Sequence, residues 1–288
     1  MAARAVIRLA VFGLPVEHSL SPAIHRRFAA DTGSSVDYRA IECPGGRLAE
    51  RLEAFAKQGG TGCNLTVPLK AEGLKIAQSV SVAAARAGAC NTLLALDGGG
   101  WRAENTDGTG LTRDLARLKI ELCGQRILVI GAGGAVAGAL GALIEQQPAE
   151  ICIANRSVDK ARALLGRFQK SLDGQTGPAL TACELQQGPG QSGFDLLIQG
   201  TSLGHQRRCP PLDAGWLQPD AVGYDLNYGA AARPFLEWCE GAGIAAHDGI
   251  GMLVEQAAEA FGLFTGAQPR TEPVHAWLAA RAEAADSS

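Results

Sequence analysis

Apolar positions along the chain switch between a period of two and a period near 3.6, so strands should alternate with helices from the start. Leu9 to Phe12 is an apolar run that predicts the first strand. "LSPAIHRRFAADTG" predicts a helix, with Ser21 as N-cap, Pro22 in the first turn, Ile24 and Phe28 on one face and Gly33 past its end. "VDYRAIEC" predicts a strand, and Leu48, Leu52 and Phe55 in "GRLAERLEAFAKQGG" have helical spacing. In "TGCNLTVPLK", Cys63, Leu65 and Val67 alternate with Asn64 and Thr66 as in a strand, until Pro68, which cannot continue a ladder. "CNTLLALDGGGWRAEN" predicts a hairpin around Asp97 to Gly100, and in "TDGTGLTRDLARL" residues Leu111, Leu115 and Leu118 share a helical face.

The pattern then restarts: "RILVIGAGGAVAGALGALI" is an apolar strand, a glycine-rich turn and a small-residue helix. "EICIAN", "FDLLIQGT", "AVGYDLN" and "GIAAHDG" predict its later strands, and the polar "SLDGQTGPALTACELQQGPGQSG" predicts a loop region around one short strand. "GMLVEQAAEAFGLFTG" and "EPVHAWLAARAEAA" predict closing helices that return to the first domain, with "AEAADSS" as a frayed end. Such alternation defines the α/β class with mainly parallel sheet. With 288 residues, of which 47% are hydrophobic, the chain has enough apolar material for two domains.

Charge and cysteine content narrow the function classes. A formal net charge of −3 gives no global attraction for nucleic acid or anionic membrane. The eight cysteines lie far apart with no C-x-x-C pair and no metal-ligand spacing, which predicts small buried hydrophobes and no metal. The five histidines show no ligand spacing either. Arg8 interrupts the apolar start, no small-residue cleavage site follows it, and no apolar run reaches the roughly 18 residues of a membrane span. A reducing, cytoplasmic setting is the expectation.

Candidate chemistry sits at strand ends. Lys70 follows a strand end, the edge where α/β proteins bind ligands, although a solvated surface lysine would read the same way. Gly131, Gly133 and Gly134 stand between an apolar strand and a helix, where backbone N–H groups and the helix N-terminus can approach a pyrophosphate. The usual third fingerprint position is Val136, and a tight helix-sheet crossing is the competing explanation. In a Rossmann domain an acidic residue about 20 positions past the first glycine would grip a ribose 2′-hydroxyl. Here Glu150 lies at the wrong end of that strand and Asp159 lies in the next helix. Asn155, Arg156, Ser157 and Lys160 stand at the right end, a set suited to a 2′-phosphate and hence to NADP rather than NAD.

Together, "FGLPVEHSLSPAIH", "GCNLTVPLK", "AGACNTL", "NTDGTGL", "GAGGA", "NRS", "YDLNY" and "DGIGMLVEQAA", in this order, closely resemble the shikimate dehydrogenase family nearly end to end. The resemblance implies reversible NADP-dependent reduction of 3-dehydroshikimate to shikimate, in aromatic amino-acid biosynthesis. It implies an α/β substrate-binding domain of residues 1–106, completed by C-terminal residues 249–288, and a Rossmann NADP-binding domain of residues 107–248. It implies that Lys70 and Asp107 are the catalytic pair, facing the reacting carbon across an interdomain cleft, and that Ser19 and Ser21 bind the substrate carboxylate. Thr66, Asn91, Tyr228 and Gln256 would face the ring oxygens. On the cofactor side it assigns Gly131, Ala132, Gly133, Gly134 and Ala135 to the pyrophosphate, Asn155 to Lys160 to the 2′-phosphate, and Thr201, Ser202, Leu226 and Gly249 to the nicotinamide region. Local alternatives remain: helix capping for Ser21 and Asp107, and backbone capping for Thr66 and Asn91.

The chain also departs from the family pattern. "IQGTSLGH" stands where Asn-Ala-Thr-Ser and a later methionine are common, "YDLNYGA" lacks a frequent Asn-Pro, and Leu69 replaces an aromatic or histidine. Gln199, Gly200 and His205 therefore bear on the nicotinamide pocket. A quinate/shikimate dehydrogenase of broader substrate or NAD use is the nearest rival, and a non-catalytic NADP-sensing module is the rival from another class. Either a monomer or a homodimer is compatible with the sequence.

Overall fold

The computed structural model describes residues 6–169 and 177–286. Two compact units are present, Met1–Gly110 with Leu253–Ser288, and Leu111–Met252. Their divisions fall inside two helices, α5 (Asp107–Arg117) and α9 (Ile250–Thr265), so each of these helices contributes residues to both units.

The first unit is built on a sheet of order β2-β1-β3-β5-β6-β4, formed by β1 (Ile7–Gly13), β2 (Val36–Glu42), β3 (Gly60–Leu65), β4 (Ser79–Val80), β5 (Thr92–Ala95) and β6 (Trp101–Glu104). β1 pairs in parallel with β2 and β3, whereas β3, β5 and β6 run antiparallel through the expected hairpin. Alternation along β1 sends Ala10 and Phe12 into one apolar cluster with Cys63 and Leu65, and Leu9 and Val11 into another with Tyr38. Both faces of the central strands are therefore covered. Helices α1 (Ser21–Thr32), α2 (Leu48–Lys57), α3 (Lys70–Ile76) and α4 (Val82–Ala87) connect the strands, and α9 and α10 (Glu272–Asp286) close the chain.

The second unit carries a six-stranded, all-parallel sheet of order β12-β11-β10-β7-β8-β9. Its strands are β7 (Arg126–Ile130), β8 (Glu150–Asn155), β9 (Ala179–Glu184), β10 (Phe194–Gln199), β11 (Leu217–Asp225) and β12 (Ala245–His247), with helices α6 (Gly134–Glu145), α7 (Val158–Gln169) and α8 (Arg233–Gly241). From β9 to β12 this is the doubly wound dinucleotide-binding order, and the direction of winding reverses between β7 and β10. The near-continuous apolar runs of β7, β8 and β10 follow from burial on both sheet faces.

Several local expectations change. Ser21 is the first residue of α1, and the cap position is Leu20 with no side-chain cap; the Ser19 Oγ instead accepts the Ser21 N–H at 3.3 Å. β3 stops at Leu65, so Val67 is 69% exposed rather than part of an apolar face. The polar stretch after α7 contains β9, a full strand of the sheet; residues 170–176 of the expected loop lie outside those described. At the expected frayed end, α10 runs to Asp286, and residues 287–288 lie outside those described. Five cysteines are buried, but Cys123 is exposed and Cys183 and Cys209 are half-buried. No helix among the described residues is long and apolar enough to cross a membrane.

Candidate active site

In the first unit, close packing places Lys70. The strand ends at Leu65, Leu69 is fully buried, and Gly73 one turn into α3 lies so near Leu65 and Cys90 that any Cβ there would collide with them. Glu72 accepts the Gly46 and Leu48 N–H groups at 2.8 and 3.0 Å, tying α3 to the start of α2. Lys70 thus begins a helix held against β3, with its side chain 20% exposed. Asp107 begins α5 and is 5% exposed. Its backbone N–H donates to Asn105 Oδ1 at 3.1 Å, and its carboxylate accepts from other residues.

Those partners form one cluster. Lys70 Nζ donates to Asp107 Oδ2 at 2.5 Å, and Asn91 Nδ2 donates to Asp107 Oδ1 at 2.8 Å and to Thr106 Oγ1 at 2.9 Å. Gln256 on α9 accepts from Asn91 Nδ2 and Thr106 Oγ1, both at 3.3 Å, while its own amide donates to Leu253 O at 2.9 Å. A lysine, a carboxylate and two amides on one site can hold an oxygen-rich ligand and move a proton to or from it. Thr66 is half-buried beside Gly13, and its N–H donates to Phe12 O at 2.9 Å; Ser19 is half-buried and Ser21 buried.

Tyr38, Asn64 and Thr92 were not legible as site residues, yet they form a hydrogen-bonded chain that ends on Asn91. Tyr38 donates to Asn64 Oδ1 at 2.7 Å, Asn64 Nδ2 to Thr92 Oγ1 at 3.0 Å, and Thr92 Oγ1 to Asn91 Oδ1 at 2.9 Å. Burial raises the Tyr38 phenol well above its ordinary range, so it stays a donor.

In the second unit, the glycine turn stands at the reversal of winding. Gly131 adopts φ +107°, which favours glycine, and a Cβ on it would press on Gly200 and on the Thr201 methyl at 3.1 to 3.2 Å. Gly133 caps α6 and Gly134 begins it; both are exposed, a Cβ on Gly133 would reach Gly200 O at 4.0 Å, and Gly134 has open space where a side chain would stand. Ala132 and Ala135 flank them, half-buried. Next door, β8 ends at Asn155, whose amide donates to Ser157 O at 2.8 Å, and Arg156, Ser157 and Lys160 are exposed. Glu150 is at the opposite end of β8, paired with Arg126 at 3.1 Å. An open helix N-terminus beside two exposed cations fits the phosphates of NADP.

At the ends of β10 and β11, a buried network fixes the remaining positions. Gln199 Oε1 accepts the Thr201 N–H at 2.5 Å, and Gln199 Nε2 reaches Asp225 Oδ2 at 3.4 Å. Asp225 Oδ1 takes two hydrogen bonds from Asn227 at 2.8 Å, and Asn227 in turn donates to Thr201 O at 3.0 Å. Burial pushes the Asp225 carboxyl up to about 7. Leu226 donates to Gln199 O and Gly249 to Asn227 O, both at 2.8 Å; a Cβ on Gly249 would stand 2.6 Å from Leu226 O. Tyr228 is half-buried, and its phenol is pushed up by burial. Among the described residues no cluster of histidine, cysteine and carboxylate side chains could hold a metal.

This doubly wound unit, with its open glycine turn, is that of a dinucleotide-dependent oxidoreductase. Residues 11–93 match the family described as shikimate dehydrogenase substrate binding domain, 114–180 match shikimate / quinate 5-dehydrogenase, and 249–276 match shikimate 5'-dehydrogenase C-terminal domain. The chain is 44% identical over 265 residues to a shikimate dehydrogenase (NADP(+)) of an Acidovorax species, covering 92% of this chain and 93% of that one. Among solved structures it is similar to an Ael1 enzyme from Pseudomonas putida, at 38% identity and TM-score 0.83, covering 93% of this chain and 96% of that one. It is also similar to shikimate 5-dehydrogenase from Thermus thermophilus in complex with NADP(H) and shikimate, at 33% identity and TM-score 0.77, covering 92% and 95% of the two chains. The chain belongs to the shikimate dehydrogenase family.

Proposed function

We propose that the protein catalyses the reversible, NADP-dependent reduction of 3-dehydroshikimate to shikimate, with Lys70 and Asp107 as its proton-transfer pair. The observation that carries this reading is the ion pair itself, 2.5 Å long and supported by Asn91 on the second carboxylate oxygen. NADP supplies the hydride chemistry. As the ring carbon changes oxidation state its oxygen must gain or lose a proton, and Lys70 with Asp107 holds that proton between Nζ and Oδ2. On this reading Asn91, Gln256 and Thr66 orient the ring oxygens, Ser19 and Ser21 the carboxylate, and Tyr228 a further hydroxyl.

In the second unit, the backbone from Gly131 to Ala135 takes the pyrophosphate, and Asn155, Arg156, Ser157 and Lys160 take the 2′-phosphate. Thr201, Leu226 and Gly249 form the nicotinamide side. The two units would then act as a substrate-binding domain of residues 1–106 with 249–288 and an NADP-binding domain of residues 107–248. The enzyme would work in the cytoplasm on a small molecule, without nucleic acid or membrane. The test is initial rates of purified protein, crossing shikimate and quinate with NADP and NAD. Fast turnover of shikimate with NADP alone supports the reading; comparable rates with quinate or NAD move the protein to the broad-specificity branch; no turnover overturns it.

A further inference from the structure

We infer that Thr92 is a positioning residue for the proton-transfer pair: together with the Thr106 N–H, its hydroxyl holds the Asn91 carbonyl oxygen, and so keeps the Asn91 NH2 aimed as a donor at Asp107. This rests on the proposed role of Lys70 and Asp107.

Hydrogen-bond inventory sets the direction of the chain. The Asn91 carbonyl oxygen accepts from the Thr106 N–H and from the Thr92 hydroxyl, both at 2.9 Å. Two donors on one side of the amide force its NH2 toward Asp107 Oδ1. The Thr92 proton is committed in turn, because Thr92 Oγ1 already receives Asn64 Nδ2 at 3.0 Å and so has its proton free for Asn91.

Asn64 has no freedom to flip either. Its Nδ2 also donates to the Asn91 backbone carbonyl at 3.2 Å, and a carbonyl can only accept. Its Oδ1 therefore faces Tyr38, which must donate. From Tyr38 through Asn64, Thr92 and Asn91 to Asp107, every proton points the same way, an arrangement in which each bond polarises the next.

Two further facts support a positioning role over contact with ligand. Thr92 is fully buried, so no ligand reaches it. The Tyr38 ring is clamped by the imidazole of His25, stacked on it at 4.1 Å and 15°, which keeps the phenol oxygen aimed at Asn64.

The experiment is steady-state kinetics of the full chain with shikimate and NADP. Thr92→Val keeps the shape of the side chain and removes the hydroxyl; kcat should fall by about tenfold, a neutral hydrogen bond's worth, with KM for NADP unchanged. Thr92→Ser, which keeps the hydroxyl, should return kcat to within about twofold of the wild type. A Thr92→Val kcat equal to the wild type, or a Ser variant no better than the Val one, overturns the inference. If Thr92→Val does not fold, Tyr38→Phe removes the donor two bonds further back and leaves the stack; kcat should fall by about two- to threefold, and an unchanged kcat overturns the inference. Failure of the underlying reading looks different: the wild type itself then turns over no shikimate, and the inference goes with it.

Discussion

Lys70 Nζ and Asp107 Oδ2 stand 2.5 Å apart although the two residues are 37 positions apart in the chain, each at the first residue of a helix. Neither side chain swings freely, because α3 is packed on β3 at Gly73 and the Asp107 carboxylate is gripped from its other oxygen by Asn91. Fixed geometry of this kind lowers a barrier more than it tightens binding. Lys70→Ala should therefore reduce kcat for shikimate by about 10²- to 10⁴-fold while KM changes by no more than about fivefold. A large rise in KM with kcat intact would make Lys70 a substrate clamp.

The cofactor prediction concerns Arg156. It is exposed at the end of β8, next to Ser157 and one turn before Lys160. A guanidinium there adds a charge-assisted bond to a 2′-phosphate and nothing to a bare 2′-hydroxyl. Arg156→Ala should lower the ratio of kcat/KM for NADP over NAD by about tenfold or more, mostly through KM for NADP. An unchanged ratio in paired assays would remove Arg156 from the cofactor site.

How far the chain discloses itself differs between its two halves. Local signals sufficed where one short stretch carries the feature: the Gly131 to Gly134 turn is bracketed by β7 and α6, and Lys70 lies past the end of β3, although that strand stops at Leu65 and not at Pro68. They failed where the device is assembled across strands. Asn64 lies on the polar side of an alternating run, which suggests a solvated face. In the sheet β3 lies between β1 and β5 with apolar clusters on both faces, so Asn64 is buried and must find Tyr38 and Thr92 as partners. The helix α3 was hidden by Gly73, a poor helix former that is there because Leu65 and Cys90 leave no room for a side chain. Ser21 has the right type for a cap, but the chain is already helical at Leu20, so the cap position falls on a residue with no side-chain acceptor and Ser21 itself gives its N–H to Ser19 Oγ.

His25 offers a test of the first unit's interior. Its ring is fully buried, neither nitrogen has a hydrogen-bond partner, and it lies among Phe28, Tyr38, Phe261 and Phe264. Burial lowers its pKa to about 3, against 6.5 unfolded. Below pH 6.5 the unfolded chain takes up a proton that the folded chain refuses. Stability is therefore whole above that pH and declines as the pH falls toward 3, by roughly 1.4 kcal/mol per unit. His25→Phe keeps an aromatic ring against Tyr38 and cannot be protonated. Its melting temperature relative to the wild type should rise from pH 7.5 to pH 5, whatever the constant offset from repacking; parallel curves would show that His25 is protonated in place.

Asp225 titrates in the opposite sense. It is fully buried at the end of β11, and burial holds its carboxyl at about 7 despite hydrogen bonds from Asn227 and Gln199 that favour the ionised form. Unfolded, it ionises near about 3.9. Between those two values the folded chain keeps a proton that the unfolded chain has released, so this contribution to stability is complete below about pH 3.9 and is lost as the pH rises through 7. Asp225→Asn removes the titration and keeps the shape. The melting temperature of the variant minus that of the wild type should grow between pH 5 and pH 7 and level off above pH 8, whereas a constant difference would mean that Asp225 is ionised throughout. The same variant separates two uses of the residue. Because Gln199 and Asn227 both hold Thr201 and both bond to Asp225, a change in KM for NADP with kcat for shikimate preserved would place this network on the cofactor side of the reaction.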